Sequence, residues 1–408
     1  MNKKASELQM GASIARLRKK QGLTQAQLAE MLCVSNKTVS KWERGAGYPE
    51  ITQLYSLSRI LGITVDTLIM SERQGITVAG SLVADRIKLI SSYPEMNMLS
   101  TIYGISNAVG GSVPNVGIDL ARIDRKLKVS AIGRVGNDAD GRYLIDELRK
   151  NGIDVGGILT STTAGTSFTD VMTVHDTGER TFFHYRGANA EFVPEDVDIP
   201  TLNCKMLHAA YILMMDALDA EDPEYGTVMA RFLKEVQAVG ILTSIDVVSD
   251  SSGLFAEKVT PALRYTDNAF MNEIEACGIS GLAPRDENGR IILENIKATM
   301  ERIMAEGVGA RVIVHCPEAG FCLNKNGEFT VVPSLKLPKS YIKGTVGAGD
   351  AFCAGCLYGI YEGFDDKAIL EFASGAACCN LAAVDSVSGM KDKDAIFELI
   401  QNAERVEI

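Results

Sequence analysis

The chain has 408 residues, 46% hydrophobic and 23% charged, which excludes disordered and collagen-like classes and leaves room for two to four domains of about 100–200 residues each. Its formal charge of −11 hides a split: residues 1–70 hold 10 Lys and Arg against 5 Asp and Glu, a balance of +5, and the remainder carries −16. One segment suits a polyanionic partner and the other does not; with no run near the roughly 18 apolar residues of a membrane span and no apolar signal core after MNKKASELQM, a cytoplasmic protein without a membrane partner is expected.

In the first seventy residues apolar side chains recur at helical spacing: Ile14 and Leu17, Leu28 and Leu32, Val39 and Trp42, then Ile51, Leu54, Leu57 and Leu61. They predict four or five short helices and no strand, broken at Gln21-Gly22, Val34-Ser35, Arg44 to Pro49 and Gly62, with Thr24 and Ser35 as N-caps. Residues 24–45 hold two of these helices around a tight turn at Cys33 to Ser35, the helix-turn-helix arrangement. Asn36, Lys37, Thr38, Ser40 and Lys41 lie at the exposed start of the second helix, where amide, ammonium and hydroxyl groups reach base edges in a major groove, while Val39 and Trp42 turn to the core. Gln25 opens the preceding helix and is placed to meet a phosphate beside that helix's free N–H groups. Arg18 and Glu43 are expected to pair.

The run from Leu17 through Ile69, with its LTQxxLA, VS and WERG elements, resembles a lambda-repressor/Cro-type (XRE) helix-turn-helix domain over residues 8–69. The resemblance implies base reading by Asn36, Lys37, Ser40 and Lys41, phosphate contact by Gln25, and double-stranded DNA as the partner of residues 1–70. Such domains act as dimers on paired half-sites. No dimerisation helix belongs to this one, so a homodimer would be held by the C-terminal part.

After a linker at Ser71 to Gly75 the pattern changes to β-branched runs alternating with helical stretches. Ile76 to Gly80, Val129 to Gly133, Ile241 to Asp246, Ala269 to Asn272 and Arg311 to His315 predict strands of a parallel sheet in an α/β domain. The most informative stretch is Lys343-Gly344-Thr345-Val346-Gly347-Ala348-Gly349-Asp350, followed by a helical run from Ala351 to Glu362. Small residues there let backbone N–H groups approach an anion at a helix N-terminus. A carboxylate in such a place competes with the anion unless it has a task, and the task that fits is to take a hydroxyl proton beside a transferring phosphoryl group. Upstream, Gly110-Gly111-Ser112-Val113-Pro114-Asn115 allows positive φ and close approach. Asp85 follows the first strand, where α/β ligands gather.

The ordered segments VAGSLVAD, AVGGSVPNVGIDLAR, AIGRVGNDADG, FTDVMTVHDTGERTFFHYRGANA, MNEIEA and GTVGAGDAFCAG together resemble the ribokinase-like (PfkB) carbohydrate kinases over residues 76–408. The implied fold class is an all-α helix-turn-helix domain followed by an α/β ribokinase-like domain, a mostly parallel sheet flanked by helices with a small β lid from 98–108 and 166–190. The resemblance makes Asp350 the base, Gly347, Ala348 and Gly349 the anion hole, and Asp85, Gly110, Gly111 and Asn115 the acceptor site. ATP and Mg2+ are the implied cofactors: Thr345 and Gly320 would meet the nucleotide, and Asn272 and Glu275, matching the family's NxxE element, would organise magnesium through water. Asp176-Thr177-Gly178 would turn a lid hairpin.

Three positions depart from the family pattern. Gly344 stands where an Asp precedes the Thr of the glycine motif, His315-Cys316-Pro317 stands in place of a TxG element, with Pro at the Gly position, and Asp246 to Asp250 lacks the Asn and Arg of a DxNxR element. His175, His184, His208 and His315 show no metal-ligand spacing, and the single CxxC, Cys353 and Cys356, reads as packing among nine reduced cysteines. Two functions remain open: a kinase that phosphorylates a sugar or related alcohol, with a nucleoside as a further acceptor class, or a non-catalytic regulator that senses a sugar.

Overall fold

The computed structural model describes residues 10–11, 13–15, 17–19, 21–65, 68, 73–248 and 253–408. Ser71 and Glu72 of the expected linker, and Ser249 and Asp250 of the DxNxR-like element, lie outside them. The chain divides into two compact units, the first comprising the residues up to Gln74 with the short segments 198–205 and 238–241, the second the rest.

In the first unit, helices α1 (Gln25–Met31), α2 (Asn36–Glu43) and α3 (Ile51–Leu61) follow the apolar spacing. Thr24 caps α1 with a reciprocal pair: its hydroxyl accepts from Gln27 N at 3.2 Å while its own N–H reaches Gln27 Oε1 at 2.8 Å. Ser35 caps α2, accepting from Thr38 N at 3.1 Å, and the turn between them passes through Cys33 at φ 54°. Ile14, Leu28, Val39, Trp42, Leu57 and Leu61 close the core. Ile51 departs from the expected apolar stripe: as the first residue of α3 it precedes the turn that packs and is 86% exposed.

The second unit enters on β1 (Ile76–Gly80), leaves the main sheet for β2 (Val83–Ile90) and β3 (Ile102–Gly110), and returns through α4 (Ser112–Ile123) to β4 (Val129–Gly136). Helix α5 (Ala139–Lys150) leads to β5 (Asp154–Ser161), then come β6 (Phe168–Val174), β7 (Arg180–Tyr185) and β8 (Met206–Ile212). A two-residue ladder of β9 (Glu221–Asp222) and β10 (Gly226–Thr227) precedes α6 (Val228–Ala238), β11 (Leu242–Val247), α7 (Phe255–Leu263), β12 (Asn268–Asn272), α8 (Glu273–Ser280) and α9 (Leu293–Ala305). The chain ends through β13 (Arg311–His315), β14 (Ala319–Asn324), β15 (Phe329–Pro333), α10 (Ala348–Glu362), α11 (Asp366–Asn380) and α12 (Lys393–Asn402).

The main sheet has nine strands in the order β15-β14-β13-β12-β11-β8-β1-β4-β5. β5, β4, β1, β8, β11, β12 and β13 run parallel, and β14 and β15 close the edge antiparallel. Burial on both faces explains why these strands read as apolar runs with no clean alternation. α10 lies in that core, burying Phe352, Leu357 and Tyr358, and Cys353 and Cys356 are packed inside it.

A second sheet orders β3-β2-β6-β7, and it is wider than the expected lid of 98–108 and 166–190. β2 is one of its two inner strands and pairs Asp85 with Ala108 on one side and with Thr169 on the other. Just two residues separate β1 from β2, so a sequence reading takes VADRIKLI for the loop beyond β1. The β6–β7 hairpin turns where expected, with Gly178 at φ 73° and Val174 N bonded to Glu179 O at 2.9 Å.

Candidate active site

The glycine motif forms the entrance to α10. Gly347 is its N-cap at φ 77°, with no side-chain cap, so no side chain takes up the first-turn N–H groups. Glycine is required at this position, because a Cβ on Gly347 would lie 2.6 Å from Ser386 Cβ. Thr345 precedes the helix and is exposed, its carbonyl accepting from Ala348 N at 3.3 Å. Asp350 sits inside the first turn, 8% exposed.

Both carboxylate oxygens of Asp350 are held. Asn115 Nδ2 donates to Oδ2 at 2.9 Å, and the Tyr211 phenol donates to Oδ1. Asn115 is oriented in turn by Ser386 Oγ, 2.8 Å from its Oδ1. Burial pushes the Asp350 carboxyl up to about 6, against the pull of its two donors.

The second glycine pair brings the lid to this point. A Cβ on Gly110 would sit 2.5 Å from Asp85 Oδ2, so the missing side chain is what lets the Asp85 carboxylate lie over the backbone. Gly111, at φ 80°, turns the chain into α4, and a Cβ there would meet Ser81 O at 2.7 Å. Asp85 is raised to about 7 by burial, partly offset by the Thr169 hydroxyl and reinforced by the charge of Asp350. Asp85 and Asn115, on separate elements and far from Asp350 along the chain, are thus brought to it, with Gly110 against the Asp85 carboxylate.

Asn272 and Glu275 end β12 and open α8 as a reciprocal cap. Asn272 Oδ1 accepts from the N–H groups of Ile274 and Glu275, both at 2.9 Å, and Glu275 Oε2 accepts from Asn272 N at 2.8 Å. Asp246, at the end of β11, is held well above the carboxylate range by burial first and then by the charges of Glu275 and Asp350.

Gly320 does not join this set. It is buried within β14, where a Cβ would press to 2.9 Å from the Phe352 ring, so its smallness serves the packing of α10 on the sheet. Gly344 is also explained by space, since a Cβ would lie 2.8 Å from Ala383 O and 3.0 Å from Val384 O. Pro317 occupies the tight turn between β13 and β14, closed by Cys316 N to Ala319 O at 2.9 Å.

Sequence reasoning missed Tyr211, Ser386, Asp119 and Asp246. Tyr211 and Ser386 fall in no motif, Asp119 lies in the AVGGSVPNVGIDLAR segment with no role assigned to it, and Asp246 opens the DxNxR-like element, where attention falls on the missing Asn and Arg. Asp119 is fully buried one turn after Asn115, with neither oxygen hydrogen-bonded among the described residues. His208, Asp246 and Cys353 are likewise grouped within 4.8 Å although no spacing announces them. The neutral imidazole, held at about 3 by burial, lies between Ser244 Oγ at 3.1 Å and Cys353 Sγ at 3.6 Å.

In the first unit, Asn36, Lys37 and Lys41 are exposed on α2 and Ser40 and Thr38 half-buried. Thr38 Oγ1 is 2.8 Å from Ser35 Oγ. Gln25, expected at a phosphate, donates through Nε2 to Glu43 Oε2 at 2.6 Å. Arg18 and Glu43 pair as expected, at 2.6 and 3.1 Å, and the guanidinium also reaches Leu23 O at 2.6 Å.

This chain belongs to the pfkB family of carbohydrate kinases, whose pattern matches residues 74–393, and a helix-turn-helix domain matches residues 14–68. It is 26% identical to a 5-dehydro-2-deoxygluconokinase of Geobacillus thermodenitrificans over 302 residues, 72% of this chain and 84% of the relative. It is 23% identical to fructokinase-1 of Zea mays over 338 residues, 78% of this chain and 98% of the relative. The fold is that of Arabidopsis thaliana ribokinase solved with ribose and ATP, with a TM-score of 0.68 at 20% identity, covering 80% of this chain and 99% of that one. A Methanocaldococcus jannaschii nucleoside kinase shares it, with a TM-score of 0.63 at 19% identity, covering 81% and 99%. The protein is therefore a carbohydrate kinase of ribokinase fold joined to a helix-turn-helix domain. Among the described residues no helix is long and apolar enough to cross a membrane.

Proposed function

We propose that the second unit transfers a phosphoryl group from ATP to a hydroxyl of a sugar or related alcohol, and that residues 1–70 bind double-stranded DNA so that sugar status acts on transcription. The observation that carries the catalytic reading is Asp350: a buried carboxylate, fixed at both oxygens, in the uncapped first turn of α10. Asp350 accepts the acceptor hydroxyl's proton as general base. The N–H groups of Gly347, Ala348 and Gly349 face the charge on the transferring group, where a helix N-terminus favours an anion. Asp85 accepts hydrogen bonds from the acceptor's other hydroxyls, Asn115 orients both acceptor and base, and Gly110 and Gly111 give the close approach.

Thr345, beside the helix entrance, suits contact with the nucleotide. The Asn272 carbonyl and the Glu275 carboxylate would hold magnesium through water, and Glu275 lies close enough to Asp246 for its charge to raise that carboxyl. When bound, magnesium supplies neutralisation of the phosphate oxygens. The lid sheet excludes water, which otherwise competes for the phosphoryl group.

The names of the sugar and sugar-acid kinases among the relatives support this acceptor class. A sensor without turnover is the second reading, favoured by Gly344, where the family's carboxylate is absent. A panel of sugars, sugar acids and nucleosides with Mg-ATP separates the two, reading ADP release beside thermal shift. Acceptor-dependent ADP release that Asp350→Asn abolishes establishes the kinase and its acceptor class; stabilisation by a sugar with no ADP release establishes the sensor.

The homodimer is also proposed for the second unit. Its lid sheet exposes Ile102, Tyr103, Ile105, Phe182, Phe183 and Tyr185, each 45–70% open, apolar side chains that a second copy could cover.

A further inference from the structure

We propose that Tyr211 is a positioning residue for Asp350, a role that rests on the reading of Asp350 as the base. Tyr211 is the last residue but one of β8, on the same end of the sheet as the glycine motif, and its phenol donates to Asp350 Oδ1. Asn115 reaches Oδ2 from α4 at 2.9 Å. Two donors from two elements therefore fix the carboxylate's rotation, and since each carboxylate oxygen has two lone pairs, each keeps one for an incoming hydroxyl.

The surroundings make this donor matter. Asp85 from the lid, Asp119 from α4, Asp246 from β11 and the Cys353 thiol of its own helix all lie close enough to be raised by the charge of Asp350, and burial opposes the ionisation of Asp350 itself. His315 beside Gly349 is held neutral by burial. A phenol that donates to a carboxylate forms a charge-assisted bond and favours the ionised form. The Tyr211 phenol itself is pushed well above its ordinary value, first by burial and then by Asp350 and Asp246, so it donates and does not compete as a base. Tyr211 thus keeps Asp350 both aimed and ionised near neutral pH.

The test is Tyr211→Phe in the full chain, with two readouts. The first is the acid limb of the kcat–pH profile with the best acceptor of the panel, which should move up by about one pH unit, with kcat lowered at pH 7 and the acceptor KM unchanged. The second needs no turnover: infrared titration of the Asp350 carboxyl band, identified by its absence in Asp350→Asn, should move the same way. Tyr211→Gln, which keeps a donor, should return both toward wild type. An unmoved limb and band overturn the proposal, even where Tyr211→Phe melts lower, since packing alone predicts that. Failure of both variants to fold also overturns it, assigning the side chain to packing. Asp350→Asn separates the two readings: retained turnover sinks the base itself, while a dead Asp350→Asn with an unmoved Tyr211→Phe limb sinks the Tyr211 role alone.

Discussion

Asp350 carries a carboxyl raised to about 6, so it loses its proton-accepting form as pH falls through that value. The expected kcat profile therefore declines below about pH 6, and Asp350→Asn should lower kcat roughly 10²–10⁴-fold while isothermal titration still registers acceptor binding. Undiminished turnover in that variant removes the assigned base. At Gly110 the constraint is steric: the Cβ of Gly110→Ala would come to 2.5 Å from Asp85 Oδ2 and displace the carboxylate from the acceptor site. That change should raise the acceptor KM severalfold and leave ATP affinity alone; equal effects on both would show a general loss of fold. Motif residues such as these are legible because small size and charge at fixed spacing declare them. Tyr211 and Ser386 are not legible, since a phenol at a strand end and a hydroxyl in a loop carry no such spacing.

Among the elements, α2 presents its exposed polar start while Val39 and Trp42 anchor it. Asn36→Ala or Lys37→Ala should each cost about 1–3 kcal/mol of base discrimination, read by competition binding on a randomised duplex library; an unchanged sequence preference refutes the recognition face. The same helix is tied to the rest of its unit by Glu43, which accepts from Arg18 and Gln25. The paired side chains of Arg18 and Glu43 are 9% and 6% exposed, and breaking such a pair leaves a charge without its partner. Arg18→Met should therefore destabilise the helical unit by about 3 kcal/mol, seen as an early step in thermal melts. The Glu43 carboxyl is held below its ordinary value by Arg18 and Gln25 despite burial, so its stabilising share is present above its unfolded value and lost as pH falls through the folded one. At the lid the lesson is different: β2 was hidden by its closeness to β1, and its place between β3 and β6 is set by pairings with Ala108 and Thr169.

For the whole molecule, coupling between sugar and DNA requires that ligands bind the DNA-competent and incompetent arrangements unequally. Operator affinity measured with and without saturating sugar and nucleotide should differ by a factor of roughly 5–150; equal affinities dismiss the coupling. Light scattering of the full chain tests the homodimer, and charged substitutions at Ile105 and Phe183 on the lid should dissociate it if that face holds it. The division into a basic helical unit and an acidic α/β unit, the helix-turn-helix, the strands β1, β12 and β13, and the glycine entrance to α10 all follow from local chemistry: charge, periodicity, caps and small residues act over a few positions and are written in order along the chain. The neighbourhood of Asp350 is not local. Asn115 and Tyr211 bond it from separate elements, Ser386 holds Asn115 in turn, Asp85 and Asp246 feel its charge, and His208 meets Cys353 across 145 residues, because the order of strands and the packing of α10 on them bring distant positions together. Gly320 makes the same point in reverse, its smallness serving a phenyl ring of α10 that nothing near it in the chain discloses.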